Sequence, residues 1–123
     1  MKIILSNSSM VPIYEQVADQ IKNQVLSGVL KTNDPLPSVR SLSAQLKISA
    51  LTVKKAYDHL ESEGYVTTVH GKGTYVSKMD PNMAREALYA KAENEFAQAI
   101  RQAKAAGMTN EEIIETVQLL LDE

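Results

Sequence analysis

The sequence has no cysteine and no tryptophan, and only one phenylalanine and two histidines in 123 residues. Without cysteine there is no disulfide, no thiolate metal site and no cysteine nucleophile. A reducing, cytoplasmic setting is the expected localisation. His59 and His70 have no partner at metal-ligand spacing, so no metal and no cofactor are expected; His59, in mid-helix, reads as structural. No apolar run approaches the roughly 18 residues that a membrane span needs, so no membrane partner is expected. Met1-Lys2-Ile3-Ile4-Leu5 opens like a signal peptide, but its apolar run stops at Ser6. Paired histidines and a phosphate-loop pattern are also missing, and the carboxylates fall mainly on helix surfaces. An enzyme is therefore not expected.

What is present is ordinary globular composition: 44% apolar and 23% charged residues, five Gly and four Pro. The length suits one domain, or one domain plus a short appendage. The net charge of −2 hides an uneven distribution. Residues 1–78 carry nine Lys/Arg against six Asp/Glu, a balance of +3; residues 79–123 carry four against nine, a balance of −5. This asymmetry suggests a basic binding part and an acidic part with another task.

Ile13, Val17, Ile21 and Val25 recur at four-residue spacing after Pro12, which suits a first helical position. Gly28 ends this helix. The prolines of residues 31–37 make a rigid loop. Ser38 is a natural cap for a short helix over about 38–46, with Val39, Leu42 and Leu46 on one face. After a turn at Lys47-Ile48, Ser49 caps a third helix that runs to Gly64, with Val53, Ala56, Tyr57 and Leu60 on its core face. Two such helices form a helix-turn-helix. Residues 65–69 and 74–77 are β-branched and aromatic and flank the turn His70-Gly71-Lys72-Gly73, which predicts a hairpin, or wing. Asp80-Pro81 breaks the chain. Residues 82–106 read as one long helix. Gly107 suits an αL cap. Thr109-Asn110-Glu111-Glu112 is a capping-box pattern that opens a last helix. The expected fold is mainly α with a small β-hairpin: a winged helix-turn-helix over 1–78, then an α-helical hairpin over 79–123.

The start of the second helix of a helix-turn-helix usually enters the major groove. Here that start offers the Ser49 and Thr52 hydroxyls, the Leu51 side chain, and Lys54 and Lys55. Hydroxyls and lysines suit phosphates and guanine edges, and Leu51 suits a thymine methyl. The blander reading is a solvated lysine face with an idle Leu51. Ser38 and Arg40 lie at the start of the preceding helix, where free N–H groups and the helix dipole favour a phosphate. Alternatively Ser38 only caps and Arg40 pairs with a carboxylate. The tip His70-Gly71-Lys72 is basic, and its glycine allows close backbone approach, which suits a minor groove. It is otherwise a plain turn.

Five segments fall in order at family spacing: Pro12-Ile13-Tyr14-Glu15-Gln16-Val17, Leu36-Pro37-Ser38-Val39-Arg40-Ser41-Leu42, Thr52-Val53-Lys54-Lys55-Ala56-Tyr57, Leu60-Glu61-Ser62-Glu63-Gly64-Tyr65 and Gly71-Lys72-Gly73-Thr74. Together they resemble the winged helix-turn-helix of the GntR family of bacterial transcription regulators, over roughly residues 10–77. The short tail resembles the YtrA-like branch, which lacks the large effector domains of other branches. The resemblance implies that Arg40 contacts DNA, that Ser49, Thr52 and Lys54 meet bases and phosphates, and that His70 and Gly71, with Lys72 beside them, reach the minor groove. The chain departs from the family at Ala50, where many members carry Arg or Pro, and at Leu51, where many carry a polar residue. Its operator need not match a family consensus. Asn33 replaces the usual Gly and can also adopt αL.

The tail helices carry apolar stripes through Leu88, Ala92, Phe96 and Ile100, then Ile113, Val117, Leu120 and Leu121. Two such helices enclose no core alone, and a large exposed apolar stripe is unusual in a soluble monomer. A symmetric homodimer through these residues is expected; the alternative is a tail folded back on its own winged helix. The leading reading is a sequence-specific DNA-binding regulator, a repressor, that binds an inverted-repeat operator in double-stranded DNA as a homodimer. The competing reading is a winged-helix protein-interaction module without specific DNA binding. A small-molecule effector, of no class that the sequence names, either binds between tail and wing or is absent.

Overall fold

Pro12 is extended (φ −55°, ψ 147°), and α1 follows it over Ile13–Leu26 in the computed structural model, which describes residues 1–123. Pro12 therefore caps the helix instead of occupying its first turn. Its carbonyl accepts the first helical hydrogen bond, from Gln16 N at 3.1 Å. Gly28, at φ 82°, turns the chain out of α1. The left-handed region is cheap only for glycine, and Leu30 N then donates back to the Gln24 carbonyl at 2.9 Å.

Ser38 and Ser49 cap the next two helices, α2 (Val39–Leu46) and α3 (Ala50–Ser62), as their positions predict. Each hydroxyl accepts from the backbone N–H three residues on, at 3.0 Å from Ser41 and 3.1 Å from Thr52. Between them Lys47 adopts φ 56°. The hairpin pairs β1 (Val66–Val69) with β2 (Gly73–Val76) in antiparallel register, Val66 opposite Val76 and Val69 opposite Gly73. Tyr65, expected in the strand, instead lies at its mouth and is buried in the core.

The proline loop adds a short third rung to the sheet. Asn33 N donates to Val76 O at 2.8 Å, Val76 N to Asp34 O at 2.9 Å and Leu36 N to Thr74 O at 2.9 Å. Asn33 takes φ 70°, the left-handed conformation expected of it. These bonds fix the chain that leads into α2 against β2.

The core of the first unit, residues 1–81, joins Val17, Ala18 and Ile21 of α1 with Leu42 of α2, Val53, Ala56, Tyr57 and Leu60 of α3, and Val66 and Val76 of the hairpin. Small Ala18 and Ala56 are fully buried, so α1 and α3 approach closely. No polar side chain is buried here. Truncating Ile21 or Leu60 would remove about 2–5 kcal/mol.

An unforeseen clamp holds the N-terminal segment. Gln16, Gln20 and Gln24 repeat at four-residue spacing on α1. The Gln20 amide accepts from Ile4 N (2.8 Å) and donates to Ile4 O (2.6 Å); Gln16 accepts from Ser6 N (2.9 Å) and donates to Ser6 O (3.0 Å); Gln24 donates to Lys2 O (2.8 Å). Four helical residues rise about 6 Å and two extended residues span about 6.6 Å, so the two repeats stay in step. Alternation then turns Ile3 and Leu5 onto the core.

The second unit, residues 82–123, holds most of α4 (Pro81–Ala105) and all of α5 (Asn110–Leu121). Pro81 starts α4 instead of breaking the chain, because a first-turn residue needs no N–H. Gly107 (φ 90°) ends it, with Met108 N donating to Ala103 O at 3.0 Å. Thr109 and Glu112 form the expected capping box at 3.0 and 3.1 Å. The Thr109 backbone N–H holds the Glu112 carboxyl below its usual range. Neither helix buries a single residue, and the two do not pack along their lengths. Of the seventeen exposed large apolar side chains in the chain, ten lie on this tail, among them Leu88, Phe96, Ile100, Leu120 and Leu121. No helix is long and apolar enough to cross a membrane.

Candidate nucleic-acid interface

The site is assembled by contacts that lock α2, α3 and the hairpin together. Tyr57 on the core face of α3 donates its hydroxyl to the Pro37 carbonyl at 2.7 Å. Burial pushes its phenol up to about 12, so it remains a donor throughout the neutral range. This bond places the residue before the α2 cap directly against α3. At the far end of α3, a Glu61 carboxylate oxygen accepts from Thr68 N at 2.7 Å and ties β1 to the helix. Lys22 of α1 reaches Glu63 at 2.7 Å and lies 5.2 Å from the Tyr65 ring centre.

Ser38 is exposed and caps α2, and Arg40, in its first turn, is exposed and pairs with no carboxylate. Its guanidinium is thus free to reach a phosphate or base. At the start of α3, Ser49 and Thr52 hold their hydroxyls 2.7 Å apart. Leu51 is 79% exposed, a high value for an apolar side chain flanked by caps. Leu51, Lys54, Lys55 and Asp58 stand at i, i+3, i+4 and i+7 and form one exposed stripe. Val53, Ala56, Tyr57 and Leu60 fill the opposite, buried face.

Neither lysine of that stripe is idle. Lys54 Nζ lies 2.8 Å from Asp58 Oδ2, a hydrogen bond that keeps its ammonium charged to higher pH than usual. Lys55 Nζ turns back over the Tyr14 ring of α1, 4.1 Å from its centre. The i,i+4 spacing of Lys54 and Asp58 was visible in the sequence; the contact with Tyr14 depends on the α1–α3 packing and was not.

The hairpin tip presents His70, Gly71 and Lys72, all exposed, in a turn closed by Lys72 N donating to Val69 O at 2.9 Å. Gly71 has φ 77°, where a larger residue would be strained. His59, by contrast, is engaged locally: it meets Glu63 at 2.6 Å and the Tyr14 ring edge-on at 6.3 Å.

A basic loop, two capped helix starts and a polar helix face on one winged helix-turn-helix match a known pattern. The sequence profile of bacterial regulatory proteins of the gntR family matches residues 13–76. The chain belongs to that family. It is 38% identical to the HTH-type transcriptional repressor YtrA of Bacillus subtilis (strain 168), over 89% of this chain and 84% of that protein. Its fold is similar to that of a transcriptional regulator from Oenococcus oeni, with TM-score 0.77, 33% identity, and 95% and 97% of the two chains covered. It is also similar to the DNA-binding domain of AraR solved in complex with operator ORX1, with TM-score 0.56, 28% identity, and 63% and 96% covered. This gntR-family chain is therefore a DNA-binding transcriptional regulator, not an enzyme.

Proposed function

We propose that the protein is a repressor that binds an inverted-repeat operator as a homodimer. The tail is the observation that carries the dimer: two helices of 25 and 12 residues, neither with a buried side chain, carry ten of the molecule's seventeen exposed large apolar side chains. Apolar surface on that scale is covered by a partner in water, and a second copy with the same stripe supplies one by twofold symmetry. In this reading Leu88, Ala92, Phe96, Ile100, Ile113, Val117, Leu120 and Leu121 form the dimer seam. Twofold symmetry then sets two recognition helices at half-sites about 34 Å apart, and the operator repeats in inverted order.

Ser38, Arg40, Ser49, Leu51, Thr52, Lys54 and Lys55 serve the major groove and its flanking phosphates, while His70, Gly71 and Lys72 serve the minor groove. The exposure of these groups, Thr52 alone being half-buried, and the operator-bound AraR relative support the assignment. Repression is the role in the name of the YtrA relative.

The test is a mobility-shift titration of Arg40→Ala and Lys54→Ala, with circular dichroism as the control for folding. Each substitution is expected to weaken operator binding by about 1–3 kcal/mol at unchanged helicity. Unchanged affinity in both would remove α2 and α3 from the interface.

A further inference from the structure

The exposed stripe of α3 carries a carboxylate beside its two lysines. Asp58 shares that stripe with Leu51 and Lys54, one turn beyond Lys54, and is itself 62% exposed on its side chain. It serves no fold contact other than the 2.8 Å pair with Lys54 Nζ. With Lys55 drawn over Tyr14, the recognition helix presents no unengaged lysine to the solvent. The surrounding unit is only modestly basic, at +3 over residues 1–78.

Affinity for arbitrary duplex comes almost wholly from lysine and arginine on phosphates. To join those contacts, Lys54 must leave Asp58, and Asp58 then faces a wall of phosphates with no counter-charge. An operator repays the exchange differently. A base edge with acceptors, such as guanine O6 and N7, holds Lys54 in one place within the groove, and a neighbouring amino donor, such as cytosine N4, can engage the carboxylate. Discrimination of this kind comes from repelling wrong partners more than from attracting the right one.

We propose that Asp58 is a specificity-determining residue of the recognition helix, which penalises binding to unrelated duplex by competing with its phosphates for Lys54. The inference rests on the reading of α3 as the groove-binding helix.

The experiment compares wild type with Asp58→Asn and Asp58→Ala. Fluorescence anisotropy gives affinity, across a salt series, for an operator obtained by selection from a random duplex pool and for a random-sequence duplex of equal length. Asp58 is exposed, so both variants are expected to keep the wild-type circular dichroism. Affinity for random duplex should rise about fivefold, the scale of one surface charge interaction. Its log–log salt slope should steepen by about 0.9, the signature of one added phosphate contact. Operator affinity should change less, so the ratio of operator to random binding falls. An unchanged ratio, or an unchanged slope on random duplex, overturns the role of Asp58. A wild type that does not distinguish operator from random duplex overturns the reading of α3 itself, and is seen before any variant is made.

Discussion

Tyr57 illustrates how one side chain links core to interface. Its ring is buried with Val53 and Leu60, while its hydroxyl holds the Pro37 carbonyl ahead of the α2 cap. Removing that hydroxyl leaves a carbonyl without its donor, so Tyr57→Phe is expected to lose about 1–2 kcal/mol in urea unfolding. The pH dependence has a definite sign. The phenol ionises near 10 when unfolded and at about 12 when folded. Its contribution is therefore complete below pH 10 and disappears as pH rises from 10 to 12. Tyr57→Phe should lack that alkaline limb. A variant as stable as wild type with the same alkaline limb would show that the bond to Pro37 contributes nothing.

Among the elements, caps and periodicity carried most of the legible information. Ser38, Ser49, Thr109 and Glu112 all cap where their spacing predicts, because a cap is a local bond within one turn. Asn33 was readable for the same reason. Lys47 at φ 56° was not: nothing in a lysine signals the left-handed region, and the turn between two packed helices imposes it. The third rung of the sheet was hidden as well, since Pro35 and Pro37 read as loop and the pairing with β2 spans about forty residues of sequence. Within the candidate interface, residue types at the start of α3 were legible, but the engagement of Lys55 by Tyr14 exists only once α1 and α3 pack. The glutamine clamp lay in plain view as a four-residue repeat, yet its partner is an extended segment with no periodic signal. Gln20 makes two of its hydrogen bonds. Gln20→Ala should therefore speed amide exchange at Ile4 at least tenfold, with a stability loss of about 1–3 kcal/mol, while Gln16 still holds Ser6. An exchange rate at Ile4 that does not move would mean that the Gln20 bonds contribute nothing to holding the segment.

For the whole molecule, the division of labour follows charge and burial. The first unit owns the core and the net positive charge; the second owns the net negative charge and an uncovered apolar stripe. Phe96 is 60% and Ile100 40% exposed and neither belongs to the core, so carboxylates there leave the core intact. Phe96→Glu with Ile100→Glu should yield monomers in sedimentation velocity and weaken operator binding roughly 100-fold, since two linked half-sites bind far better than one. A dimer that persists would move the seam elsewhere.

Selection of bound sequences from a random duplex pool, at roughly physiological salt, tests most directly whether a homodimer reads an inverted repeat. Enrichment of an inverted repeat whose half-sites are centred about one helical turn, or a multiple of it, apart is expected of a twofold dimer. A pool that stays random, or one that yields a single unrepeated site, would contradict it.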